Sequence, residues 1–136
     1  MEQHNGVQLR WESDLRFSGR VDQAPIVLDG SSGDALSPMQ AVMAGLAGCM
    51  AIDLVHILEK GRQPLEKLET TLTGERAASP PRRFTAFRLH FKVTGDIADD
   101  RVQRAIDLSR ETYCSVWHTL RQDIELEITF EVHRLS

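Results

Sequence analysis

Residues 37–61, SPMQAVMAGLAGCMAIDLVHILEKG, are the longest apolar, helix-favouring run in the chain. Both ends carry helix signals. Ser37 can cap, Pro38 suits the first helical position, and Gln40 stands where a capping box needs a reciprocal acceptor. At the far end Gly61 can take the left-handed conformation that closes a helix, and Pro64 follows soon after. Met39, Val42, Met43, Leu46, Met50, Ile52, Leu54, Val55, Ile57 and Leu58 cannot share one narrow stripe. A helix apolar nearly all round is a buried one. In so short a chain one sheet covers only part of it, so a partner subunit is expected over the rest. Ala44, Gly45, Ala47 and Gly48 permit close approach. Each interior glycine costs roughly 1 kcal/mol against alanine, which calls for compensation. Near the middle sits Cys49, either a small core residue or the reason the helix exists.

The strands around this helix set the fold class. VQLRW (7–11) and LRFSGRV (15–21) read as two short strands with a turn at 12–14, and PIVLD (25–29) as a third. Residues 29–37 are loop. Residues 65–76 alternate at Leu68, Thr70 and Leu72. Residues 84–94 alternate with Phe87, Leu89, Phe91 and Val93 on one face, so these two strands form an antiparallel hairpin around Pro80 and Pro81. Asp99 or Asp100 can cap a second helix over 101–113, with Val102, Ala105, Ile106, Ser109 and Tyr113 on its inner stripe. Residues 115–121 suggest a short helix. Residues 123–133 alternate strictly, with Ile124, Leu126, Ile128, Phe130 and Val132 inward. Grouped strands of antiparallel character indicate an α+β fold.

The 136 residues suggest a single domain over 1–136. The net charge of −4 argues against a nucleic-acid or anionic-membrane partner. The start, MEQHNGVQLRW, lacks the basic-then-apolar pattern of a signal peptide. The 41–58 run is interrupted by Asp53 and His56, so no membrane span is expected. These readings point to a cytoplasmic protein, where thiols are held reduced and a cysteine pair is transient and redox-linked rather than structural.

The chain has two cysteines, Cys49 and Cys114. Cys114 falls at the junction of two helical segments, where the amides of the following turn could lower its pKa. As free cysteines, both could equally be buried hydrophobes. The histidines are His4, His56, His90, His118 and His133. His56 and Asp53 share the Cys49 face, and His118 follows Cys114 by four. No CxxC or HxxxH spacing supports zinc, so no metal and no cofactor is expected. Each histidine reads as surface or satisfied core. The stretch Gly30–Gly33 lacks the lysine of a phosphate loop, and there is no GxSxG.

SPMQAVMAGLAGCMAIDLVHILEKGR, followed much later by DLSRETYCSV, resembles the OsmC/Ohr family of osmotically inducible and organic hydroperoxide resistance proteins. Members carry a Pro-marked start, an Ala/Gly-rich helix with a cysteine about three turns in, and a second cysteine after the second helix. The resemblance implies an intertwined α+β homodimer, its antiparallel sheets wrapped around the long cysteine-bearing helices. It implies a thiol-dependent peroxidase acting on organic hydroperoxides. The thiolate matching Cys49 attacks the O–O bond and becomes a sulfenic acid, and the thiol matching Cys114 condenses with it to a disulfide. An external dithiol, a lipoylated protein in some members, resets the pair. The family activates its cysteine with an arginine from the N-terminal strands, held by a glutamate early in the long helix. Here the glutamate position is Met39, followed by Gln40, whose amide oxygen could hold an arginine. Arg16 and Arg20 lie in the right region, with Arg16 preferred by strand alternation. Asp53 opposes a thiolate at Cys49 unless an arginine pairs with it. Glu111, three before Cys114, stands where many members have histidine.

A second reading keeps the scaffold and changes the activity. It is a binding or redox-sensing protein holding an apolar ligand at the dimer interface, lined by Met39, Met43, Met50 and Trp117. Close approach of the Cys49 and Cys114 sulfurs, with an arginine guanidinium nearby, would favour catalysis, and wide separation would demand movement or retire it.

Overall fold

The computed structural model describes residues 5–31 and 33–134, which leaves His4 and Ser32 outside the described residues. The chain forms two compact units, one ending at Val42 and the other beginning at Met43.

The first unit holds a three-stranded antiparallel sheet in the order β1 (Val7–Ser13), β2 (Arg16–Val21), β3 (Ala24–Asp29). The tight turns place Asp14 and Asp22 at positive φ, 47° and 52°, a conformation short acidic side chains tolerate. Asp22 also accepts the Gly6 N–H through Oδ1 at 2.9 Å. Gly19 has no alternative residue in this sheet, because a Cβ there would lie 1.8 Å from the Gln8 carbonyl oxygen. Every residue of β1 is exposed, including Val7, Leu9 and Trp11.

The long helix α1 spans Pro38–Lys60, and its first turn falls in this unit. The capping box forms as the sequence indicates: the Gln40 N–H donates to Ser37 Oγ at 3.2 Å, and the Ser37 N–H donates to Gln40 Oε1 at 2.9 Å.

In the second unit, β4 (Leu65–Arg76), β5 (Phe84–Gly95) and β6 (Glu125–His133) form a sheet in that order. β4 and β5 are antiparallel as expected, but β5 and β6 run parallel. The sheet is therefore mixed, because the helical segment between β5 and β6 serves as the crossover that parallel pairing requires. On β5, Phe87, Leu89, Phe91 and Val93 are at most 1% exposed. The same core takes Leu46, Met50, Leu54 and Leu58 from α1 and Ile97, Val102, Ala105 and Ile106 from the following segment.

Three expectations about the helices need correction. The left-handed residue closing α1 is Arg62 (φ 58°), not Gly61. The Arg62 N–H donates to Glu59 O and the Gln63 N–H to Leu58 O, which is the Schellman pattern with Arg62 one place beyond the cap. Helix α2 is Asp99–Leu108, capped at Ala98 with no side-chain bond. Asp99 and Asp100 instead lie in its first turn, where they favour the positive end of the helix dipole. The helix then widens into a π-helical turn, Ser109–Tyr113, before α3 (Ser115–Thr119). That wide turn rotates Tyr113 off the inner stripe and leaves it 57% exposed. Within one chain α1 is covered on one face only, as the sequence indicates: its fully buried residues are the single stripe Leu46, Met50, Leu54 and Leu58, while Ile52 is 60% exposed and nothing lies within 4 Å of a Cβ at Gly45 or Gly48.

Asp53 and His56 also do not break α1 as a membrane-length segment. It contains an 18-residue window of mean hydropathy 1.9, long and apolar enough by composition to cross a bilayer. A core helix with one face awaiting cover has the same composition.

Candidate functional site

The i, i+4 spacing of α1 sets Cys49 and Asp53 on one face, one turn apart. Both are half-buried. The wide turn brings Cys114 to them. Its N–H donates to Ser109 O at 2.8 Å, the i to i−5 bond of a π-turn, so Ser109 and Cys114 bracket that turn. The sulfurs of Cys49 and Cys114 and a carboxylate oxygen of Asp53 all lie within 4.8 Å of one another. Among the described residues this is the only such grouping of three His, Cys, Asp or Glu side chains. Both cysteines are free thiols.

Two hydrogen bonds hold the group. Ser109, itself 1% exposed, donates its hydroxyl to Asp53 Oδ2 at 2.8 Å. Cys114 caps α3, and its sulfur accepts the Trp117 N–H at 3.4 Å. That amide lowers the thiol pKa, as the sequence suggested, but the net direction is the reverse. Burial pushes the Cys114 thiol up to about 11, and the neighbouring Cys49 and Asp53 add to the rise. Cys114 is thus a protonated thiol at neutral pH.

A cavity of about 710 Å³ opens beside Asp53, with Ile57 and Leu108 as apolar wall, Lys60, Arg101 and Arg104 as its cationic lining, and His56 also at its edge. It gives the Asp53 end of the group a route to solvent. The chemistry of the three donors, two sulfurs and one oxygen, also suits a thiophilic metal ion, with Ser109 fixing the carboxylate from behind.

Several of the other residues read from the sequence have partners of their own. Arg16 faces three carboxylates, Asp34 at 3.1 Å, Glu12 at 3.5 Å and Asp29 at 3.7 Å. Asp29 is held below the usual carboxylate range chiefly by two hydrogen bonds from Ser31, with Arg16 assisting. Arg20 is exposed and makes no ion pair among the described residues. The Gln40 amide oxygen is taken by the capping box. Glu111 is exposed within the π-turn. Among the described residues no histidine joins the thiol grouping: His90 meets Thr129 and Glu131, His133 meets Glu131, and His118 meets the Arg110 carbonyl. Met50 and Trp117 are core residues, 1% and 5% exposed. Sequence reasoning missed Ser109 as a site residue. The available signal was a small hydroxyl on an otherwise apolar inner stripe.

The sequence model of OsmC-like proteins matches residues 31–129. The chain is 45% identical over 129 residues to protein YhfA of Escherichia coli K12, covering 93% of this chain and 96% of that one. A hypothetical protein from Aquifex aeolicus superposes with a TM-score of 0.91 at 24% identity, over 99% of this chain and 100% of that one. An organic hydroperoxide resistance protein OsmC from Legionella pneumophila superposes at 0.74 with 19% identity, over 96% and 98%.

Proposed function

This chain belongs to the OsmC-like family, and we propose on that premise that it is a thiol peroxidase for organic hydroperoxides. The observation that carries the proposal is the meeting of Cys49 and Cys114, whose sulfurs lie within 4.8 Å of each other. Cys49 is the half-buried partner and Cys114 the fully buried one. Peroxide therefore reaches Cys49 first. Its thiolate attacks the O–O bond, the alkoxide leaves as alcohol, and the sulfur becomes a sulfenic acid. Cys114 then condenses with it, giving a disulfide and water. An external dithiol, such as a lipoylated protein, resets the pair.

In this reading an arginine activates the thiol, and Arg20 is proposed before Arg16, which already serves Asp29, Asp34 and Glu12. The functional unit is a homodimer acting in the cytoplasm, a single OsmC-like domain per chain. The uncovered face of α1 around Ile52, Gly45 and Gly48 supports it, as does the exposed apolar row Val7, Leu9 and Trp11 on β1. A second copy is the simplest cover for so apolar a helix. The ligand-binding alternative has less support, since Met50 and Trp117 are spent on the core and the cavity beside Asp53 is lined by neither.

The test is direct. Reduced protein is treated with one equivalent of cumene hydroperoxide and its thiols are mapped by mass spectrometry. A Cys49–Cys114 disulfide is expected. Two free thiols at full peroxide consumption, or at none, would refute the peroxidase reading.

A further inference from the structure

Disulfide closure needs a proton to move. In the step Cys49–SOH + HS–Cys114 → Cys49–S–S–Cys114 + H₂O, an S–S bond forms and an S–O bond breaks. The proton on the Cys114 sulfur must leave, and the departing hydroxide must gain one. A thiol attacks as its thiolate. Cys114 is completely buried, and its nearest backbone donor, the Trp117 N–H, cannot take a proton from it. Some other group has to accept it.

We propose that Asp53 is that group, a carboxylate that takes the Cys114 thiol proton and delivers it to the hydroxide leaving Cys49. Four observations converge on it. One of its carboxylate oxygens lies within 4.8 Å of both sulfurs, so it neighbours the proton donor and the sulfur that carries the leaving oxygen. Ser109 fixes Oδ2, and among the described residues nothing bonds Oδ1, which is left to carry the proton. No histidine or other carboxylate joins the group among the described residues. And the cavity lined by Asp53, with His56 and Lys60 from α1 and Arg101 and Arg104 from α2, lets the water leave. The carboxylate ends the step as it began, so it is a catalyst and not a reactant.

The role rests on the peroxidase reading for its peroxide arm, so the test has a second oxidant. Asp53→Asn keeps the size of the side chain and an oxygen for the Ser109 hydroxyl. The protein is mixed with cumene hydroperoxide in one arm and with diamide in the other. Diamide forms an adduct on Cys49, and Cys114 must still lose its proton to displace it. Samples are quenched with dimedone or by alkylation and weighed intact. In Asp53→Asn, Cys49 oxidation is expected to be at least as fast as in the parent, because a negative charge that opposes its thiolate is gone. Disulfide closure is expected to slow roughly 100-fold or more, with dimedone-labelled Cys49 accumulating. Closure in the variant should speed up with rising pH, as free thiolate replaces the assisted route. Asp53→Glu should recover part of the rate. Closure in Asp53→Asn within twofold of the parent, in either arm, overturns the proposal. If the parent closes with diamide but ignores the peroxide, the peroxidase reading fails and the diamide arm alone decides the role of Asp53. A urea titration of each variant confirms that it is folded when assayed.

Discussion

Cys114 is fully buried in the reduced protein, and its thiol titrates near 11 where an unperturbed one is taken as 9.0. The difference links folding to pH. The folded pKa is raised, so the native state holds its proton where the unfolded chain has lost it. The stabilising contribution is complete below pH 9 and disappears as the pH rises through about 11. Taken whole, this separation is worth about 3 kcal/mol at most. Cys49 and Asp53 beside it are only half-buried, and solvent screening through them brings the figure to roughly 1–2 kcal/mol. The measurement is a difference between two proteins, so that what they share drops out. Urea unfolding of the reduced protein and of Cys114→Ser is compared at pH 8 and at pH 10.5. Serine does not ionise, so all shared titrations cancel. The stability of the parent relative to the variant should fall by roughly 1 kcal/mol between the two pH values. A relative stability that is flat or rises with pH would show that the thiol is not held protonated by the fold, and the reasoning about burial would be wrong.

Four further outcomes are expected. Phe91→Ala, at a position 0% exposed on the central strand, should cost about 3–5 kcal/mol in urea unfolding, since the surrounding core cannot collapse onto the space. Gly19→Ala should unpair β1 from β2, because its Cβ meets the Gln8 carbonyl oxygen, and amide exchange across Val7–Ser13 should become fast while β5 stays protected. On the proposed homodimer, Ile52→Glu should shift the protein to monomer in sedimentation velocity, as a charge on the uncovered face of α1 opposes association. One equivalent of Cd²⁺ should produce ultraviolet thiolate-to-metal absorption and protect both cysteines from peroxide, and either Cys→Ser variant should weaken it sharply.

The parts of this molecule that were legible in its sequence are those fixed by local pattern. Ser37 and Gln40 announced the start of α1, and strict alternation announced β5 and β6. The direction of β6 was not legible. Ile124, Leu126 and Ile128 alternate in the same way whichever end of the strand leads, and only the crossover sets it parallel. The closing residue of α1 was misassigned because any residue can be forced left-handed when the last carbonyls need donors, and here Arg62 is. Two cysteines 65 positions apart carry no sign that they meet (Cys49 and Cys114). The i+4 relation of Asp53 to Cys49 was readable. Its relation to Cys114 was not, because it depends on a turn of unusual width.

That turn joins the fold to the chemistry. An ordinary α-helix through Ser109–Tyr113 would continue the inner stripe of Val102, Ala105 and Ile106 to Tyr113. The π-turn admits one extra residue per turn, so the stripe ends at Ser109 and the phenol is turned outward. The residues at its two ends are the ones the site needs: Ser109 holds the Asp53 carboxylate, and Cys114 meets Cys49. The break in helical register also frees Cys114 to cap α3, which supplies the Trp117 amide to its sulfur. Restoring a regular α-helix by deleting one residue of the turn would rotate Cys114 by about 100°, away from the other thiol. Its helix could remain, and its core could remain. The disulfide could not form, because the geometry that brings sulfur to sulfur lies in that one irregular turn.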